Sequence, residues 1–103
     1  MLNQFSRTEL LYGPEVMAQF AGSRVAVFGI GGVGGYTAEA LVRSGIGAID
    51  LIDDDRICLT NLNRQVFATR ATVGQYKVDA ARSRLLEINP KLEIVTHQTF
   101  YTP

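Results

Sequence analysis

Val25-Ala26-Val27-Phe28 running into Gly29-Ile30-Gly31-Gly32-Val33-Gly34 is the stretch whose reading decides the fold. Four apolar residues in a row fit a strand covered on both faces, as in a parallel sheet. The glycines that follow permit a turn closed to other residues, and an amphipathic segment comes next. Such a strand–turn–helix unit lets backbone N–H groups approach a phosphate, with the positive end of a helix dipole behind them. Gly29, Gly31, Gly32 and Gly34 are therefore candidate phosphate-loop residues. Without its setting, the same spacing fits a purely structural turn.

Working outward, helical spacing places a helix from about Gly34 to Ser44, with Ala38, Leu41 and Val42 on one face and Gly45 as its stop. Ala48 to Asp53 reads as a second strand ended by acid. A long polar connection covers residues 54–75, and Tyr76 to Ile88 forms another helix with Val78, Ala81, Leu85 and Ile88 inward. Asn89-Pro90 closes it, because proline disfavours helical geometry in the residue before it. Leu92 to Thr96 is a third strand. On the N-terminal side, Ser6-Arg7-Thr8-Glu9 fits a capping box, and Gly13-Pro14 divides the apolar pattern of Leu10, Leu11, Val16, Met17 and Phe20 into two short helices.

The fold class is thus α/β: the β-α-β-α-β first half of a Rossmann-like, doubly wound, mostly parallel sheet, preceded by N-terminal helices. In the complete winding the first strand is central, so its free edge here invites pairing. The 103 residues are therefore expected to be the N-terminal part of a single nucleotide-binding domain. An isolated half-domain completed by dimerisation is the alternative.

Ten basic residues balance ten acidic ones, so no net field draws the chain to nucleic acid or to an anionic membrane. The lone Cys58 excludes an internal disulfide or a paired-cysteine zinc site. No signal pattern or membrane-length apolar run occurs, and a cytoplasmic location is the expectation.

Asp53 lies 19 residues beyond Gly34, where a carboxylate accepts hydrogen bonds from ribose hydroxyls. Its neighbours Asp54 and Asp55 also fit a solvated acidic turn, and Asp55 is placed to orient the loop. Asn61, Arg64, Gln65 and Lys77 lie further on. A triphosphate needs such added donors and cations, whereas a dinucleotide's pyrophosphate is largely served by backbone N–H groups. By spacing alone, a surface ion-pair role suits Arg64 and Lys77 equally. Cys58 reads as a small, partly buried loop residue, and His97 has no partner in sequence that gives it a role.

Gly29 to Gly34, Asp53-x-Asp55, Asn61-Leu62-Asn63-Arg64-Gln65 and Thr72-Val73-Gly74-Gln75-Tyr76-Lys77 stand in order with characteristic gaps. From about Phe5 to Pro90 the chain resembles the ubiquitin-activating-enzyme-like adenylyltransferase superfamily, which includes the ThiF, MoeB and HesA types. Arg7 to Gly13, Glu39 to Gly47 and Cys58 to Gln65 are similar to its tRNA threonylcarbamoyladenosine dehydratase group.

The resemblance implies ATP and Mg2+ as cofactors, and adenylation of a carboxylate followed by cyclising dehydration of the tRNA nucleoside. It assigns the glycine loop, Asp53, Asp55, Asn61, Arg64, Gln65 and Lys77 to the nucleotide, with Arg64, Lys77 and Arg7 in the catalytic set. Arg7 would come from the partner of a homodimer. The magnesium-binding aspartate of such proteins lies beyond the third strand, so no metal ligand is assigned here and this stretch alone is expected to be inactive. Three other readings share parts of the pattern. They are adenylation of a ubiquitin-like sulfur-carrier partner, an NAD-dependent oxidoreductase, and a nucleotide-binding or dimerisation module without turnover.

Overall fold

The computed structural model describes residues 3–99. The chain folds as α1 (Ser6–Tyr12), α2 (Pro14–Ala21), β1 (Arg24–Phe28), α3 (Gly32–Ser44), β2 (Ala48–Ile52), a 3-10 turn over Leu59–Asn63, α4 (Lys77–Ile88) and β3 (Glu93–His97). The three strands are parallel in the order β1-β2-β3, with Phe28, Ile52 and His97 in one row at their C-terminal ends. This is the expected partial Rossmann-like arrangement. No helix among the described residues is long and apolar enough to cross a membrane.

Helices α3 and α4 cover one face of the sheet. Ala38 and Val42 of α3 and Val78, Ala81 and Leu85 of α4 close over Val27, Ile49 and Leu51. Ile49, Leu51 and Leu85 have no accessible surface, and each contributes about 1.5–3 kcal/mol relative to exposure. Gly45 ends α3 in the left-handed region, φ 108°, as its place after the apolar face predicts.

β1 departs from expectation. Of its five residues only Val27 is buried, and Phe28 is 56% exposed. The apolar run anticipated covering on both faces, but β1 is an edge strand among the described residues and α3 lies over one face only. On the open face the rows carry charge: Arg24 pairs with Asp50 at 2.6 Å and Glu93 at 3.4 Å, and His97 Nε2 lies 3.5 Å from Asp50.

The N-terminal helices form as two short pieces, without the capping box. Phe5 precedes α1 with no side-chain cap. The Ser6 hydroxyl instead accepts the Asn3 N–H at 2.7 Å, and Asn3 Oδ1 accepts the Phe5 N–H at 2.8 Å. Asn3, one turn earlier, has captured the serine that would cap the helix. Leu10 and Leu11 share the helical spacing but are 87% and 75% exposed.

The connection over residues 54–75 is polar yet anchored. Ile57, Phe67 and Ala68 enter the core, the Ile57 N–H donates to Gln75 at 2.8 Å, and the Arg56 guanidinium lies 4.1 Å from the centre of the Tyr76 ring. Between the helices, buried Glu39 of α3 accepts from Arg43 at 2.8 and 3.0 Å and from Arg84 of α4 at 3.0 Å. Burial pushes the Glu39 carboxyl up, but the hydrogen bonds and charges of Arg43 and Arg84 prevail and hold it below its ordinary value.

Two predictions follow from this packing. A Cβ on Gly34 would sit 1.8 Å from the Gly29 carbonyl oxygen, so Gly34→Ala should cost about 3 kcal/mol, read as a fall in denaturation midpoint. Because the folded pKa of Glu39 is depressed, its contribution is full above the unfolded value of 4.5 and is lost as pH falls through the lower folded value. Glu39→Gln should therefore flatten the acid limb of stability against pH below that point; an unaltered slope would show that the two arginines give Glu39 no stabilising charge.

Candidate nucleotide-binding site

The chain leaves β1 at Gly29, whose φ of 86° only glycine adopts readily. Gly34 must lack a side chain because the Gly29 carbonyl lies against it. These two glycines shape the turn itself. Gly31 and Gly32 answer to a different demand. A Cβ on Gly32 meets nothing within 4 Å, and one on Gly31 has the Gln65 amide as its nearest neighbour at 3.7 Å. No protein atom needs the space they leave over the start of α3, and a phosphate approaching the backbone does.

Asp53 follows β2 and faces this turn. Its Oδ2 accepts the Ile30 N–H at 2.7 Å and its Oδ1 accepts the Asp55 N–H at 2.8 Å. Both oxygens keep a second lone pair for a ligand hydroxyl. Beside them opens a cleft of about 370 Å³, lined by Phe28, Gly29, Ile52, the acids Asp53 to Asp55, and Thr99. Its walls mix apolar side chains with carboxylates, which suits an uncharged base and sugar and repels phosphate.

The cationic and amide groups lie beyond. Lys77 opens α4 with its side chain only 11% exposed and its Nζ 3.6 Å from Asp55 Oδ2. Its backbone N–H donates to the Asp55 carbonyl at 2.9 Å. Asn61 and Gln65 are both buried. The Asn61 Oδ1 accepts the Cys58 N–H at 2.9 Å, while its amide NH2 has no hydrogen-bond partner among the described residues. Arg64 is exposed, and its Nη1 donates to the Thr60 carbonyl and to Asn63. Arg7 is exposed on α1, its side chain without a hydrogen bond or ion pair among the described residues.

The structure therefore groups Gly31 with Gln65, and Asp53 with Asp55 and Lys77, about the end of the sheet. Arg64 stands on the adjoining loop and Arg7 stands apart. The carboxylates of Asp53, Asp54 and Asp55 come within 4.8 Å of one another. Asp55 is already paired with the buried Lys77 cation at 3.6 Å, which opposes a divalent ion at the same carboxylates, so this set does not fit a resident magnesium. Cys58 is exposed rather than partly buried, and its sulfur lies 3.8 Å from the Arg56 carbonyl. His97 faces Asp50 on the open side of the sheet. Phe28, Ile52 and Thr99 enter the cleft without having stood out in the sequence. The signal for the first two was their place as the last residues of strands flanking a phosphate loop.

A model of the ThiF family matches residues 5–103. The tRNA threonylcarbamoyladenosine dehydratase of Bacillus subtilis is 51% identical over 102 residues, covering 99% of this chain and 40% of the relative. The molybdopterin-synthase adenylyltransferase of Escherichia coli is 40% identical over 93 residues, covering 88% of this chain and 37% of the relative. The crystal structure of the E. coli tRNA N6-threonylcarbamoyladenosine dehydratase in complex with ATP superposes with a TM-score of 0.95 at 46% identity, over 97% of this chain and 41% of that one. The chain thus spans 36–40% of the length of tRNA threonylcarbamoyladenosine dehydratases that it matches.

Gly32 separates folding from ligand binding. Gly32→Ala should leave stability unchanged or raise it by up to about 1 kcal/mol through helix propensity. It should weaken binding of any phosphate-bearing ligand. Unchanged nucleotide affinity in that variant would remove the open glycine space from the site.

Proposed function

This chain belongs to the ThiF family, and on that footing we propose that it forms the nucleotide-binding part of a longer ATP-dependent adenylating enzyme. The observation that carries the reading is the buried cation Lys77, tied through Asp55 and Asp53 to the glycine loop. A dinucleotide site has no need of a buried lysine there, whereas a triphosphate does.

In this reading Asp53 receives the ribose and the open backbone at Gly31 and Gly32 receives the phosphates. Asn61, Gln65, Lys77 and Arg64 complete the phosphate shell. A substrate carboxylate oxygen attacks the α-phosphorus, the bond to the bridging oxygen breaks, and pyrophosphate leaves with the charge that Lys77 and Arg64 meet. The product is an acyl-adenylate. The protein contributes position and fixed charge, with no covalent step of its own. Magnesium, which such chemistry uses, is assigned to chain beyond β3, since the described acids do not fit it.

The substrate we propose is threonylcarbamoyladenosine in tRNA, activated on its carboxylate and then closed into a ring with release of AMP. The 51% identity to the B. subtilis dehydratase, over an alignment covering 99% of this chain, supports it. Adenylation of a sulfur-carrier protein is the second reading, favoured by the 40% identity to the E. coli adenylyltransferase. The enzyme is proposed to work as a cytoplasmic homodimer, with Arg7, exposed on α1, reaching the partner's nucleotide.

Calorimetric titration of the full-length protein with Mg-ATP and with NAD decides between nucleotide classes. ATP binding without NAD binding is expected, and the reverse would establish the oxidoreductase reading. Lys77→Ala and Arg64→Ala should each weaken ATP at least about tenfold while altering AMP far less, because only ATP carries β- and γ-phosphates. Equal losses for the two nucleotides would overturn the triphosphate assignment.

A further inference from the structure

Ile30 is 1% exposed and follows the residue at which the chain turns out of β1. Gly29 makes the last ladder bond, its N–H donating to the Ile52 carbonyl at 2.8 Å. The Ile30 N–H then has no strand to pair with and donates at 2.7 Å to Asp53 Oδ2. Through its other oxygen Asp53 holds the Asp55 N–H at 2.8 Å. Asp55 holds Lys77 twice, by its carbonyl to the backbone N–H at 2.9 Å and by its carboxylate to Nζ at 3.6 Å. One continuous set of contacts therefore runs from the glycine loop through two carboxylates to the buried cation.

We propose that Asp53 is a positioning residue for the phosphates as well as the receiver of the ribose: its carboxylate latches the glycine loop and, through Asp55, sets Lys77 before any nucleotide binds. This rests on the ATP reading above and extends it. A residue that only received ribose would be silent toward a ligand that has none. A latch is felt by every ligand of the loop.

The probe is inorganic tripolyphosphate, which carries the charge of the ATP tail and no sugar, titrated calorimetrically beside Mg-ATP into the full-length protein. Asp53→Asn keeps the size of the side chain and leaves one oxygen where two accepted. It should weaken tripolyphosphate about tenfold, and ATP by at least as much. Asp55→Asn, which retains every backbone contact, should weaken tripolyphosphate by a smaller factor, and combining it with Lys77→Ala should add nothing further.

Loss of ATP affinity in Asp53→Asn with tripolyphosphate unchanged would overturn the latch and leave the ribose role standing. An unsubstituted protein that binds ATP but not tripolyphosphate also overturns it, since the phosphate elements would then not be set in advance. One that binds neither overturns the ATP reading and this inference together. Should Asp53→Asn fail to fold, hydrogen exchange in the unsubstituted, ligand-free protein decides. The Ile30 amide should exchange as slowly as those of β2, and fast exchange would refute the latch.

Discussion

A chain that leaves a parallel strand through a glycine turn exposes its next backbone donor to whatever the fold can offer. For Ile30, buried at the base of the phosphate loop, the offer is the carboxylate of Asp53. An unmet N–H there would cost about 1–3 kcal/mol. Meeting it with a charged acceptor makes the bond among the stronger ones a protein forms. The bond also ties two segments that the sheet alone does not join, the turn after β1 and the turn after β2. The start of α3, the cleft beside Asp53 and Lys77 are all linked to it, through Gly31, the Asp53 side chain and Asp55.

Charge then divides the site in two. Asp53, Asp54 and Asp55 surround the cleft at the strand ends, and that side favours an uncharged nucleoside. The open glycine backbone at the start of α3 has the Gln65 amide beside Gly31, and Lys77 stands against Asp55 at the edge of the acids. In the proposed reading a nucleotide therefore enters with its sugar toward the acids and its phosphates toward α3. The two cations differ in readiness. Lys77 is buried and held by Asp55, so little side-chain entropy remains to be lost when a phosphate arrives. Arg64 is exposed and its Nη1 is occupied by the Thr60 carbonyl and Asn63, so it must give up these bonds to reach a ligand.

Much of this was legible in the residues because local rules and tertiary demands agreed. The glycine run, the stop at Gly45, the acid ending β2 and the break at Asn89-Pro90 each specify one backbone outcome, and the structure has them within a residue or two. Where reading failed, a distant or competing partner decided. Ser6 belongs to a turn with Asn3. The apolar run of β1 anticipates a second covering layer, while α3 and α4 supply one. The Asp53 bond to Ile30 spans 23 positions and its donor is backbone, so no side-chain pattern could disclose it. Nor could spacing distinguish Lys77 as a buried cation from a surface one. Its burial depends on the whole connection over residues 54–75 folding back into the core through Ile57 and Phe67.

The two faces of the sheet differ in what they hold. On the helical face the rows are apolar and closed, and everything that would meet a nucleotide lies at the ends of those strands. On the other face Arg24, Asp50, Glu93 and His97 hold one another across the strands, with no helix among the described residues over them. In the proposed reading the described residues therefore hold the parts that meet phosphate and ribose, and little that would distinguish one carboxylate substrate from another. In an adenylating enzyme such a division is economical in evolution, since the chemistry on ATP is the same whichever carboxylate attacks. A dehydratase named for a tRNA nucleoside and an adenylyltransferase named for molybdopterin synthase both match across this stretch, at 51% and 40% identity. Under the proposed ATP reading, the Asp53–Ile30 bond serves a step that precedes the choice of carboxylate, since it joins the glycine loop to the turn after β2 and touches neither face of the sheet.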